Sequence, residues 1–376
     1  MTTTINKEQK NPNVPNLRFP EFEGEWKRTS LKDISTVNPK SASLEESFVY
    51  IDLEAVEKGI LKKQQTILRS EAPSRAQRVI MDGDILFQCV RPYQKNNYLH
   101  KGQNNDKTQW VASTGYAQIR TTESPSYLYH TLNTDGFNKK VMVRCTGSSY
   151  PAINSDDLST IHFYFSPQKE EQRKISQLFD LLDERIATQN KIIDKLQSLI
   201  KGTAHKVSQQ GKPNTRLSEC LLCTSSTLQE SDVAELGAYP VYGANGIVGY
   251  LDTYNTTSEA IYIIKDGSGV GTVSYVNGKC SATGTLNILQ ANEGFSLRYL
   301  YFMLKVFGFE PYKTGMAIPH IYFKDYGKAK IYCPNYELQN KYANLLYEIE
   351  QKATIEQKIL DNLCSQKQFL LRQMFI

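Results

Sequence analysis

What this sequence lacks narrows its function first. No apolar run is long enough to cross a bilayer and the opening MTTTINKEQKNPN is polar, so a cytoplasmic protein with neither signal peptide nor membrane anchor is expected. The phosphate-cradling pattern GxxxxGK[ST] does not occur, so ATP use is expected to lie outside the chain. An Asn/Asp-Pro-Pro-aromatic tetrapeptide, which would hold an extruded base for amino-methylation, is also missing. The five histidines, His100, His130, His162, His205 and His320, have no metal-ligand spacing. Seven cysteines make no disulfide framework, and the lone CxxC of Cys220 and Cys223 reads as buried thiols rather than zinc ligands. Gly267, Gly269 and Gly271 suggest a nucleotide turn, yet TVSYV follows where a helix would be required, so a glycine-rich hairpin is expected.

What is present is an internal repeat. Residues 167–207 and 334–376 align at a constant offset: Glu170 with Glu337, Gln172 with Gln339, Lys174 with Lys341, Leu178 with Leu345, Ile192 with Ile359, Leu196 with Leu363. Each copy opens just after a proline and carries apolar residues at heptad positions a, d and e, which predicts a helix of about 40 residues, roughly 60 Å long. The expected pairing seam is Ile175, Leu178, Leu182, Arg185, Gln189, Ile192, Leu196 and Leu199 in the first copy. In the second it is Leu345, Ile349, Lys352, Glu356, Ile359 and Leu363. An antiparallel pair would set Arg185 against Glu356 and Gln189 against Lys352, a polar layer fixing orientation; the alternative is that these long side chains snorkel to water. Two unrelated surface helices would be the blander reading of the repeat.

Between the helices lie two units built of short β-like runs and one helix each. The expected organisation is a disordered tail over 1–14, a first unit over 15–165, a spacer helix over 166–210, a second unit over 211–333 and a C-terminal helix over 334–376. The apolar Leu17, Phe19, Phe22 and Trp26 predict that PNLRFPEFEGEW docks. In the first unit a helix is expected around Tyr127 to Asn138, and in the second around Leu297 to Val306. The units echo each other: Ser113-Thr114-Gly115 and Tyr127-Leu128-Tyr129 parallel Ala282-Thr283-Gly284 and Tyr299-Leu300-Tyr301, and Thr146-Gly147 with Pro151 parallels Thr314-Gly315 with Pro319. The fold class is therefore α+β, two similar domains separated by two long helices packed as an antiparallel coiled coil with pseudo-twofold character. Charge adds little: residues 26–165 hold 18 Lys+Arg against 14 Asp+Glu, residues 211–334 hold 10 of each, and the whole chain is +5. Phosphate binding is permitted and not demonstrated.

Two like modules at a fixed separation suit a divided DNA site, with the modules free to differ because both lie on one chain. Here the chain resembles the specificity subunit of a type I DNA restriction–modification system. The likeness rests on NLRFPEFEGEW, on the repeated helices that open after a proline and match Glu170, Gln172 and Lys174 with Glu337, Gln339 and Lys341, and on YPVYGANGIVGY with IIKDGSGVGTVSY. The resemblance implies a non-catalytic subunit whose two target recognition domains each read half of a bipartite sequence in double-stranded DNA. Its helices would set the spacing and dock two methyltransferase (modification) subunits, with restriction motor-nuclease subunits as further partners. The chain itself would need no cofactor, S-adenosylmethionine, ATP and Mg being held by those partners. Candidate DNA readers in the first unit are Arg91, Tyr93, Gln94, Lys95, Asn96, Arg144, Ser148, Ser149 and Tyr150. In the second they are Tyr242, Asn245, Lys265, Ser268, Lys313, Met316 and His320, because Arg suits guanine, Asn and Gln suit adenine, and Ser and Lys suit phosphates. Two other classes compete: an independent restriction or methyltransferase enzyme, which the missing motifs disfavour, and a coiled-coil scaffold with two protein-binding modules.

Overall fold

The computed structural model describes residues 13–102, 108–315 and 318–376. Of the expected tail, 1–12 lies outside them, and docking already begins at Asn13, whose carbonyl accepts the Trp26 N–H at 2.8 Å. The helices used below are α1 (Pro125–Leu132), α2 (Asp135–Arg144), α3 (Lys169–Ser208), α4 (Leu297–Lys305) and α5 (Tyr336–Met374). The chain forms two compact units, residues 1–189 with 359–376, and residues 190–358. The division between the units thus falls inside each repeated helix. The cause is packing: Ile175 and Phe179 lie in the first unit's core, and Ile200, Ala204 and Val207 in the second's.

The first unit contains two four-stranded sheets. In one, Ser47–Ile51 runs parallel to Trp110–Ser113, flanked by Gln65–Leu68 and Ala76–Ile80. In the other, Tyr116–Thr121 and Ile85–Gln88 pair antiparallel at the centre, between Ser35–Val37 and Tyr98–Leu99. Ile85, Leu86, Phe87 and Gln88 are all buried, so this central strand is covered on both faces. The helix expected around Tyr127–Asn138 is broken in two. Thr134 leaves helical geometry and its hydroxyl caps the Phe137 N–H at 3.2 Å, starting α2 afresh. The N-terminal segment docks chiefly through Trp26, 2% exposed, against Tyr127 and Phe375 with ring centroids 6.1 Å away in both cases. Leu17 stays exposed, tied down instead by its N–H to Gln373 O at 2.9 Å.

The second unit repeats the plan. Leu286–Ala291 and Ala260–Ile264 pair antiparallel between Leu221–Ser225 and Val273–Val276, and Tyr239–Gly243 runs parallel to Ser281–Ala282. The glycine stretch is a hairpin: Gly271 N–H reaches Ile264 O at 2.9 Å and Ile264 N–H reaches Thr272 O at 3.0 Å. Gly271, at φ +90°, also sits where a Cβ would lie 3.1 Å from the Phe309 ring.

Both long helices begin on the same clip. The Gln172 side chain donates to Ser166 O at 2.8 Å and accepts from Ser124 N, the residue capping α1. Gln339 donates to Pro334 O at 2.8 Å and accepts from Ser296 N, before α4, at 2.9 Å. The helices run antiparallel within each unit. In the first, Phe179 meets Phe375 at 5.7 Å while Asp183, one turn on, pairs with Lys367, two turns back. In the second, the Tyr342 hydroxyl near the start of α5 reaches Gln210 beyond the end of α3.

The seam is set one residue away from the sequence expectation at five places. Phe179, Ile193, Ile200, Leu346 and Leu360 are buried, whereas Ile192, Leu199, Leu345 and Ile359 are exposed and Leu178 is only half-buried. Arg185 and Lys352 also face outward, and the polar break is carried by buried Gln189 and half-buried Glu356. Ile175, Leu182, Leu196, Ile349 and Leu363 are buried or half-buried, where the expected seam put them. Both members of each adjacent apolar pair satisfy an a/d/e pattern, and packing on a globular core selects the one that keeps a 3.6-residue period.

Candidate nucleic-acid interface

In the first unit two of the loops singled out from sequence come together. Thr146 and Ala152 exchange backbone hydrogen bonds at 2.9 Å, closing a loop whose tip is Gly147 to Tyr150. Arg91 N–H donates to Pro151 O at 2.7 Å and Ile153 N–H to Cys89 O at 3.0 Å, so residues 89–91 zip onto that loop. The Arg91 guanidinium then lies 4.4 Å over the Tyr150 ring. Arg91 holds φ 53°, ψ 54°, left-handed geometry that a residue with a Cβ adopts only at a cost. Tyr93 and Tyr150 are exposed, and Ser148 and Ser149 share the exposed tip.

The second unit builds the same knot. Thr314 and His320 exchange backbone hydrogen bonds at 2.9 and 2.7 Å, Gly267 N–H donates to Pro319 O at 3.0 Å, and Ile321 N–H donates to Lys265 O at 2.9 Å. Gly267, at φ 96°, takes the place of Arg91, and Gly315, at φ 86°, that of Gly147, at φ 90°. A Cβ at Gly315 would lie 2.4 Å from Ile318 O, and one at Gly147 2.9 Å from Tyr150 O, so both turns require glycine. The side chains differ: His320 Nδ1 sits 2.8 Å from Asp266 Oδ1, and its ring stacks near exposed Tyr322. Lys265 N–H is held by Thr285 O at 3.0 Å and Tyr242 O accepts from Thr283 N at 2.8 Å, which brings both to one turn. Asn245 is exposed between strands Tyr239–Gly243 and Gly246–Leu251, while burial raises the Tyr242 hydroxyl's pKa. Ser268 is exposed, and Met316 lies outside the described residues.

Several sequence candidates also hold the loops together from within. Lys95 places its ammonium 2.7 Å from Asp135 Oδ1 and 3.1 Å from Asn133 O, joining the ends of α1 and α2. Asn96 Oδ1 accepts from Lys58 N at 3.0 Å, and Gln94 Oε1 from Gln88 Nε2 at 2.9 Å. Arg144 donates to Asp157 O and Thr160 Oγ1 at 2.8 and 2.7 Å, and Lys313 pairs with Glu310. Residue type alone marks these as readers; a polar loop also needs internal hydrogen bonds, and these side chains supply them. The sequence reading missed Tyr322, an exposed aromatic two residues beyond His320, and Arg28 with Lys140 of the basic cleft described below. Only the i,i+4 spacing of Lys140 and Arg144 along one helix signalled the latter.

Among the described residues no group of three His, Cys, Asp or Glu side chains is arranged to hold a metal ion. Cys220 lies 3.7 Å from Cys333, not from its CxxC neighbour Cys223. No helix among those residues is long and apolar enough to cross a membrane.

The family model for the type I restriction modification DNA specificity domain matches this chain twice, over residues 23–198 and 221–364. The chain belongs to that family. A putative type I specificity subunit of Mycoplasma genitalium is 24% identical over 276 residues, 66% of this chain and 70% of that protein. The specificity subunit of the type I restriction enzyme HindI of Haemophilus influenzae is 25% identical over 182 residues, 46% of this chain and 39% of that one. In fold, the crystal structure of a type I restriction–modification S subunit from M. genitalium matches with a TM-score of 0.66 at 18% identity, covering 96% of this chain and 99% of that one. A chain of another type I system matches with a TM-score of 0.52 at 21% identity over 92% of this chain and 96% of that one. The repeated match of the specificity domain follows the repeat of the knot: one loop pair per copy, on equivalent strands.

Proposed function

We propose that this chain is the sequence-recognition subunit of a type I restriction–modification complex, performing no chemistry itself. The first knot, centred on Arg91 and Tyr150, reads one half of a bipartite duplex target, and the second, centred on His320, Lys265 and Asn245, reads the other. The observation that carries the reading is one backbone knot built twice with different side chains on it: constant geometry with variable tips is what two readers of two unlike half-sites need. Arg91, half-buried with its guanidinium over the exposed Tyr150 ring, is positioned as a guanine reader.

The long helices set the distance between half-sites and dock the modification subunits. Support for docking comes from their exposed apolar residues, among them Leu181, Leu199, Leu345, Ile355 and Phe369. Methylation of adenine with S-adenosylmethionine, and Mg- and ATP-dependent cleavage, then fall to the modification and restriction subunits. Methylome sequencing of cells with and without the chain tests this: a divided methylated motif should vanish on its removal, and its persistence would refute the reading.

A further inference from the structure

Beside the first knot lies an open cleft of about 370 Å³ lined by Arg28, Lys140, Val143, Arg144, His162 and Tyr164. Three of these carry fixed positive charge. Arg28 comes from strand Lys27–Ser30, Lys140 and Arg144 are one turn apart on α2, and His162 starts strand His162–Phe165, which pairs with the first. Arg28, Lys140 and Arg144 make no salt bridge to a carboxylate among the described residues, although twelve Lys or Arg pairs of that kind occur elsewhere. The hydrogen bonds they do make are to neutral oxygens, Lys140 to His162 O at 3.1 Å and Arg144 to Asp157 O and Thr160 Oγ1. Burial and the Arg28 charge both push the Lys140 ammonium below its ordinary pKa, so Arg28 and Lys140 repel one another across the cleft.

We propose that this cleft binds a backbone phosphate of the DNA just outside the half-site read by the first knot. The inference rests on the DNA-reading function proposed above and adds a site to it. Arg144 ends α2 two residues before Thr146, where the knot's loop begins, so the cleft is within about 7 Å of chain from it. Its cations suit a phosphate, Arg28 and Arg144 through the guanidinium fork and Lys140 as a point charge. Val143, 87% exposed, and Tyr164 supply apolar wall for the adjoining sugars. In the second unit the strand pair equivalent to Lys27–Ser30 with His162–Phe165 is Thr215–Arg216 with Lys330–Ile331, and Lys313, near the second loop, is neutralised by Glu310.

The test titrates a mixed-sequence duplex with the full chain from 50 to 400 mM KCl, using wild type and Arg28→Gln with Lys140→Gln. Loss of that phosphate contact lowers the slope of log K against log salt by about 1 and weakens binding roughly 5-fold at 0.15 M, equally for every sequence. As a second readout independent of the variants' folding, the wild-type Lys140 amine is acetylated with and without duplex, and protection by duplex is expected. An unchanged slope together with unprotected Lys140, in a wild type that still binds duplex, overturns the cleft alone. A wild type without salt-sensitive duplex binding overturns the DNA-reading function as well. Protection by added modification subunits and not by duplex would make the cleft a protein-docking surface, which also overturns the proposal.

Discussion

Arg91 and Gly267 occupy equivalent corners with the same sign of φ, and that comparison separates backbone from side chain. Arg91→Gly relieves the left-handed strain while restoring backbone freedom to the unfolded chain, two effects that nearly cancel. Thermal stability should stay within about 1 kcal/mol of wild type, while discrimination at one base pair falls by about 1–3 kcal/mol. Denaturant unfolding and binding to duplexes varied at each position would check both. A second residue-scale prediction concerns His130, fully buried, with Nε2 3.2 Å from Asp180 Oδ1. Burial, opposed by Asp180, holds its folded pKa below that of an ordinary imidazole. A group whose folded pKa is depressed contributes stability above its unfolded pKa and loses it as pH falls, so the first unit should weaken as pH drops below about 6.5. His130→Gln should flatten that dependence, measured as melting temperature between pH 7.5 and 5.5; an equally steep fall would contradict the assignment. Glu171, 0% exposed, is a third case: it accepts from Arg18 Nε at 2.6 Å and from Trp26 Nε1 at 3.1 Å. Arg18→Ala should cost about 3–5 kcal/mol in denaturant unfolding by stranding that charge.

At the level of elements, the repeat was legible because it demands the same residues for the same jobs. Gln172 and Gln339 align in sequence and clip equivalent helix starts in the structure. Gln339→Leu should orphan the Ser296 N–H and cost about 1–3 kcal/mol in denaturant unfolding. The exact seam was not legible, and the reason is local. Leu178-Phe179, Ile192-Ile193, Leu199-Ile200, Leu345-Leu346 and Ile359-Leu360 each offer two adjacent apolar residues, so periodicity leaves the choice to packing. Arg185 was expected inside the seam because heptad counting puts it at a d position, but its side chain is exposed. The knots were half legible. Thr-Gly…Pro marked both loops, and Arg91 and Tyr150 were named separately, but the hydrogen bonds joining 89–91 to 151–153 come from tertiary folding that no spacing in the sequence encodes.

For the whole molecule, the proposed function makes the two units exchangeable readers on a shared pair of helices. The family match over both halves and the duplicated knot support the units' equivalence, and their different tips support different half-sites. The most direct measurement is methylome sequencing of a strain in which residues 212–333 are replaced by the corresponding unit of a related specificity subunit. One half of the divided methylated motif should change while the other half and the gap between them stay as they were. Simultaneous change of both halves, or a motif indifferent to the exchange, would contradict the assignment of one half-site to each knot.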